Sequence, residues 1–97
     1  MSALSGYRVA LKLLRAGATV IGTTRFPVDA TSRFIAETDS SLWMSRLSVV
    51  GLDARDTLAV ERFTELVNAT HPRVDVLINN AAQVILGGSF CCALLFQ

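Results

Sequence analysis

The stretch Val74-Asp75-Val76-Leu77-Ile78, closed by Asn79-Asn80, decides the fold. It is short and apolar, with β-branched residues, and a polar pair stops it, which is the pattern of a strand. Upstream of it, Val60, Phe63 and Val67 share one face at helical spacing, with Leu66 beside them. Asp56 suits the N-cap of that helix, which must stop before Pro72. Leu47-Ser48-Val49-Val50-Gly51-Leu52 reads as another strand. Before it, Asp39 to Ser45 is a polar turn region holding Trp43. Pro27 breaks the chain, and Asp29 or Thr31 caps a helix that runs through Phe34, Ile35 and Glu37. Thr19-Val20-Ile21-Gly22-Thr23-Thr24 is a short buried strand. The first helix, Tyr7 to Ala16, lines up Val9, Leu13 and Ala16, widened by Leu11 and Leu14. Arg8, Lys12 and Arg15 take its wet side, and Gly17 ends it as a C′ glycine.

The order is helix, strand, helix, strand, helix, strand. Such alternation implies βαβ units, hence an α/β fold with a parallel sheet and helices on both faces. The 97 residues allow one domain at most. Hydrophobic residues make up 52% and charged residues 18%, which argues against disorder. The net charge is +1 with no basic stripe, so nucleic acid is not an expected partner. Cys91 and Cys92 are adjacent, a spacing that bridges only through a strained ring and matches no zinc site. They point to a reduced, cytoplasmic chain. Arg8, Lys12, Arg15 and Arg25 all precede the first acid, Asp29. A mitochondrial presequence has that look, but the same residues fit an ordinary surface helix. Val84 to Phe96 is apolar, yet too short and too broken by Gly87, Gly88 and Ser89 to span a membrane.

Three stretches together resemble the short-chain dehydrogenase/reductase family. Gly6-Tyr7-Arg8-Val9-Ala10, running to Gly17-Ala18-Thr19-Val20, resembles its last phosphate-loop glycine, first helix and second strand. Gly51-Leu52-Asp53 resembles the strand end that carries an aspartate near the adenine. Asp75-Val76-Leu77-Ile78-Asn79-Asn80-Ala81-Ala82 resembles the strand followed by Asn-Asn-Ala-Gly, with Ala82 in place of the glycine. The resemblance covers about Gly6 to Gln83. It implies a partial doubly wound Rossmann-type sheet over residues 1–83, with residues 84–97 as an atypical apolar tail.

The resemblance implies a nicotinamide dinucleotide as partner and Gly6, Arg25, Asp53, Asn79 and Ala81 as cofactor-binding residues. Gly6 would lie where the backbone meets pyrophosphate at a helix start, or be a turn glycine only. Arg25 follows the second strand, where an arginine holds the 2′-phosphate of NADP and an acid holds the ribose of NAD. Thr24 is not acidic, so the cofactor leans to NADP over NAD; a plain solvated arginine weighs as much. Asp53 would accept from the adenine amino group, or serve the turn Asp53-Ala54-Arg55-Asp56, although Asp56 suits the cap better. The Asn79-Asn80 pair would tie neighbouring strands and line the ribose. His71 reads as a helix-end cation, and Trp43 and Met44 as packing residues.

The family's chemistry is hydride transfer between nicotinamide and a carbonyl or alcohol, using a serine, a tyrosine and a lysine four residues after the tyrosine. Tyr7 is the one tyrosine here, and Lys12 follows it by five residues. Five residues turn a helix by roughly 500°, so the two do not share a face. No residue inherits a catalytic role, no metal ligand set is present, and a small-molecule substrate is expected only for a full-length relative. The alternative function is a noncatalytic α/β binding or interaction module.

No strand precedes Gly6, so the first strand of the doubly wound order is missing. That strand lies between the second and fourth. Its loss would leave two inner strands unpaired and the isolated chain poorly stable, unless another segment fills the gap. Val84 to Gln97 is apolar enough to pair there, though its pattern does not require it.

Overall fold

The structure is a computed structural model that describes residues 3–53, 55–71, 73–79, 84–86 and 92–96. Helix α1 (Ala3–Arg15) leads into β1 (Thr19–Thr24), α2 (Pro27–Ile35), the single turn α3 (Ser40–Trp43) and a 3₁₀ turn at Met44–Arg46. Then come β2 (Leu47–Gly51), α4 (Thr57–Thr70), β3 (Val76–Asn79), β4 (Val84–Leu86) and β5 (Cys92–Phe96).

The five strands form one sheet in the order β2-β1-β5-β3-β4. β2, β1, β5 and β3 are mutually parallel, and β4 is antiparallel to β3 at the edge. β5 therefore occupies the slot between β1 and β3. Thr19, Val20, Ile21 and Gly22 pair with Cys92, Ala93, Leu94 and Leu95 on one side. Val76, Leu77, Ile78 and Asn79 pair with Ala93 through Phe96 on the other. In the doubly wound order that slot belongs to the first strand. In this chain the apolar stretch after the Asn-Asn element fills that slot, as its composition allowed.

Successive residues of β1 face opposite sides of the sheet. Val20 joins Ala10, Leu11 and Leu14 of α1, Phe34 of α2, and Trp43, Val76 and Ile78 in one buried cluster. Ile21 joins Leu52 and the α4 residues Phe63 and Val67 in a second. One strand thus seeds a core on each face, which is why the helices lie on both. Phe34 sits between two rings, 4.7 Å from Tyr7 and edge-on to Trp43 at 6.0 Å.

Several local readings shift. α1 buries Ala10, Leu11 and Leu14; Val9 and Leu13 flank this line and Ala16 is exposed, so the buried face is rotated by about one residue from the expected stripe. Pro27 opens α2 instead of breaking the chain, because a proline at the first helical position lacks only an N–H that would be unpaired anyway. The cap position falls to Phe26, and Asp29 sits in the first turn. The Trp43 region winds into helical turns, with Trp43 buried. Leu66 on α4 is exposed.

α1 ends in a Schellman motif. Gly17 takes φ 96°, Gly17 N–H donates to the Leu14 carbonyl, and Ala18 N–H donates to the Leu13 carbonyl. Arg46 then donates to the Leu14 and Ala18 carbonyls, tying the end of α1 to the start of β2. Asp56 caps α4 as expected, accepting from Ala59 N–H at 3.1 Å.

The central ladder sets a test. Leu94→Pro removes a backbone donor from a strand paired on both sides. We expect it to lower Tm by more than about 10 °C or abolish the cooperative melt, whereas Leu42→Ala, at an exposed site, leaves Tm within a few degrees. Equal melts for the two variants would mean that β5 does not hold the sheet.

Candidate cofactor site

Four parallel strands place their carboxyl ends on one edge, which is where open α/β sheets bind ligands. There, Leu52 N–H donates to the Thr24 carbonyl at 2.9 Å, carrying the β1–β2 ladder one step beyond Gly51. α1 runs back along β1 through the tight Gly17 turn, so its first half reaches the same edge: Tyr7 and Thr24 line a common groove. A Cβ on Gly51 would come within 3.2 Å of the Pro27 ring, so a glycine here lets the end of β2 approach the start of α2.

Arg25 leaves β1 at this edge, exposed, with its guanidinium over the Phe26 ring at 5.5 Å. Phe26 N–H donates to the buried Thr24 hydroxyl at 3.1 Å, which fixes the turn from β1 into α2. No hydrogen bond or ion pair among the described residues engages the Arg25 side chain.

Asp53 lies close enough to Arg25 to feel its charge, but its carboxylate belongs to Arg55. It accepts from Arg55 N–H and, on both oxygens, from the Arg55 guanidinium, at 2.9 to 3.3 Å. Arg55 therefore holds the Asp53 carboxyl down at about 2. Asp56 takes the cap, as the sequence suggests, and the Asp53 carboxylate is paired with Arg55.

Gly6 is buried and lies within the first turn of α1, three residues after the helix begins. Asn79 ends β3 at the same edge, paired with Phe96 on one side and Val84 on the other. Asn80, Ala81 and Ala82 lie outside the described residues. The edge thus brings Arg25 and Asp53 together beside the start of α1, with Asn79 two strands away.

Sequence reasoning missed the groove of about 480 Å³ between α1 and α2, lined by Tyr7, Thr24, Phe26, Asp29, Arg33 and Phe34 among others. Phe26, Ala30 and Arg33 stand at i, i+4 and i+7, a helix-face spacing that would have shown it had Pro27 been taken as a helix start. The Tyr7 hydroxyl donates to Glu37, with the Arg33 carbonyl also within 3.0 Å, and burial together with the Glu37 carboxylate pushes it up to about 12. A tyrosine so placed is a poor proton donor near neutral pH. His71 caps the end of α4, its Nδ1 2.9 Å from the Thr70 hydroxyl.

The family model described as short chain dehydrogenase matches residues 5–90. An uncharacterized protein of Acanthamoeba polyphaga mimivirus is 40% identical over 85 residues, covering 82% of this chain and 18% of that protein. The chain therefore spans less than a fifth of the curated relative's length. No solved structure matches. Among the described residues no helix is long and apolar enough to cross a membrane, and no group of three His, Cys, Asp or Glu side chains gathers as a metal site.

The Asp53–Arg55 pair is testable by titration. Its folded pKa lies below the ordinary 3.8, so the stability it contributes is present above that value and lost as pH falls toward 2. In Arg55→Ala, carboxyl-carbon NMR should find Asp53 titrating closer to its ordinary value, the backbone N–H of residue 55 still holding it somewhat below. A midpoint still near 2 would show that Arg55 is not the cause.

Proposed function

The chain belongs to the short-chain dehydrogenase family, and from that premise we propose that it binds the adenosine end of a nicotinamide dinucleotide, with NADP preferred over NAD. The single observation that carries the reading is Arg25: an exposed guanidinium at the carboxyl end of β1, without a salt bridge among the described residues and backed by the Phe26 ring. A planar fork of that kind suits a phosphate, which it can engage with two parallel N–H donors. Thr24 offers no carboxylate for a ribose 2′-hydroxyl and is buried against the Phe26 N–H.

The residues present suit the adenosine end of the cofactor. Its phosphorylated ribose would lie against Arg25 and its adenine toward Leu52 and Asp53. Asp53 enters as part of a neutralised ion pair beside Arg25, since Arg55 occupies its oxygens. Gly6 and the first turn of α1 would serve the pyrophosphate through backbone N–H groups and the helix dipole. Asn79 and Ala81 would belong to the ribose wall on the β3 side. When bound, the nicotinamide supplies the hydride chemistry.

Oxidoreductase activity on a carbonyl or alcohol is proposed for the longer relatives, together with their small-molecule substrate. The described residues of this chain contribute binding, and Tyr7, held by Glu37 and the Arg33 carbonyl, does not supply the proton. A cytoplasmic setting is part of the same proposal and suits the adjacent Cys91 and Cys92, which cannot form an unstrained disulfide with each other.

Calorimetric titration with NADPH and NADH tests the reading. We expect saturable binding that favours NADPH, with Arg25→Ala weakening NADPH by about tenfold, the worth of one charged hydrogen bond, and leaving NADH unchanged. Equal affinity for the two nucleotides would remove the NADP preference. No binding of either to a folded chain would remove the cofactor reading.

A further inference from the structure

The groove between α1 and α2 begins at Thr24 and Phe26, beside Arg25, and runs along α2 to Arg33. Four of the arginines are committed elsewhere. Arg15 pairs with Glu37 and Asp39, Arg55 with Asp53, and Arg73 with Asp75, while Arg46 seals the carbonyls of Leu14 and Ala18. Arg33 is different. Its guanidinium lies over the Tyr7 ring at 5.2 Å, and no ion pair or side-chain hydrogen bond among the described residues engages it. Stacking on a ring satisfies the face of a guanidinium and leaves its in-plane N–H groups for a ligand.

Position supports the same use. Arg33 shares the groove wall with Thr24 and Phe26, its guanidinium over the Tyr7 ring of α1. The rise between Phe26 and Arg33 is about 10 Å, a span that two long arginine side chains can largely close. Asp29 lies in the groove wall one helical turn before Arg33. A carboxylate there disfavours a bare anion, but it can accept a hydrogen bond from the ribose 3′-hydroxyl, which NADP leaves free. A guanidinium and a carboxylate on one helix face, with the Phe26, Phe34 and Tyr7 rings lining the groove, match a phosphorylated ribose better than a free phosphate.

We propose that Arg33, held on the Tyr7 ring, is a second specificity-determining residue that acts with Arg25 on the ribose phosphate of NADP. The inference rests on the cofactor reading above and extends it to a residue of α2 that lies eight positions beyond the turn.

Titration of the full chain with NADPH and with NADH, in wild type, Arg33→Ala and Arg33→Lys, tests it. Arg33 is exposed, so both variants should melt as the wild type does. Arg33→Ala should weaken NADPH by about tenfold and leave NADH unchanged. Arg33→Lys should fall between, since lysine keeps the charge and loses the stacked planar fork. If Arg33→Ala weakens both nucleotides equally, or neither, the role of Arg33 is overturned while that of Arg25 stands. If the wild type binds neither nucleotide, the cofactor reading fails and this inference fails with it.

Discussion

The pairing of β5 between β1 and β3 is the constraint on which the rest of the structure depends. Each of its two ladders spans four registered pairs. Take them away and the sheet separates into a β2–β1 pair and a β3–β4 hairpin, with unpaired edges facing each other. Two-stranded pieces of that kind are marginal in water. α1 packs across β1 and β5, so its placement depends on the same ladders. The buried cluster that joins Leu14 of α1 to Val76 and Ile78 of β3 also reaches across the slot. A parallel strand in that slot further aligns the carboxyl ends of β1 and β3 on one edge. The candidate site is a consequence of this alignment.

Above this frame, the electrostatics sort the arginines into two kinds. Arg46 is half-buried and donates to the Ala18 carbonyl and, alongside the Gly17 N–H, to the Leu14 carbonyl, so it fastens the end of α1. Arg15 clamps Glu37 and Asp39, holding the Asp39 carboxyl at about 2 and fastening the loop after α2 to α1. The indole N–H of the buried Trp43 meets no acceptor at hydrogen-bonding geometry, though it lies near enough to Asp39 to help hold that carboxylate down. Exposed pairs of this sort add little stability. Their effect is one of assignment: the acids nearest α1 and β2 are already engaged. Arg25 and Arg33 lie over aromatic rings instead, with no ion pair among the described residues.

Much of the frame was legible in the sequence because period and punctuation agree there. Thr19–Thr24, Leu47–Gly51 and Val76–Asn79 are apolar runs bounded by glycine, proline or asparagine, and all three are strands. Gly17 and Asp56 end and begin helices by local chemistry that needs no tertiary context. β4 and β5 were harder to read. Their residues are apolar without a period, and such a run states only that it wants burial, while its neighbours are chosen by a slot that other elements create. Pro27 misled for a related reason: the same ring that cannot continue a helix is well suited to open one, and only the chain after it decides. At the site, Arg25 could be placed from its position after β1. The engagement of Asp53 by Arg55 could not, since it depends on a turn conformation at two residues' separation.

The specificity of the site and the architecture of the sheet draw on different parts of the chain. Thr24-Arg25-Phe26-Pro27 is a local unit: the Phe26 N–H bonds the Thr24 hydroxyl, the Pro27 ring starts α2, and Arg25 stacks on the ring next to it. Its conformation needs β1, β2 and the first turn of α2, and it makes no demand on which segment fills the central slot. In the proposed reading, the first determinant of cofactor choice, Arg25, therefore lies in a turn set by four consecutive residues. The pyrophosphate end of the cleft, in contrast, needs a strand and a helix start brought together from distant parts of the sequence. A chain in which β5 takes the central place alters that second requirement and leaves the first intact, which is why the proposed reading is confined to the adenosine end.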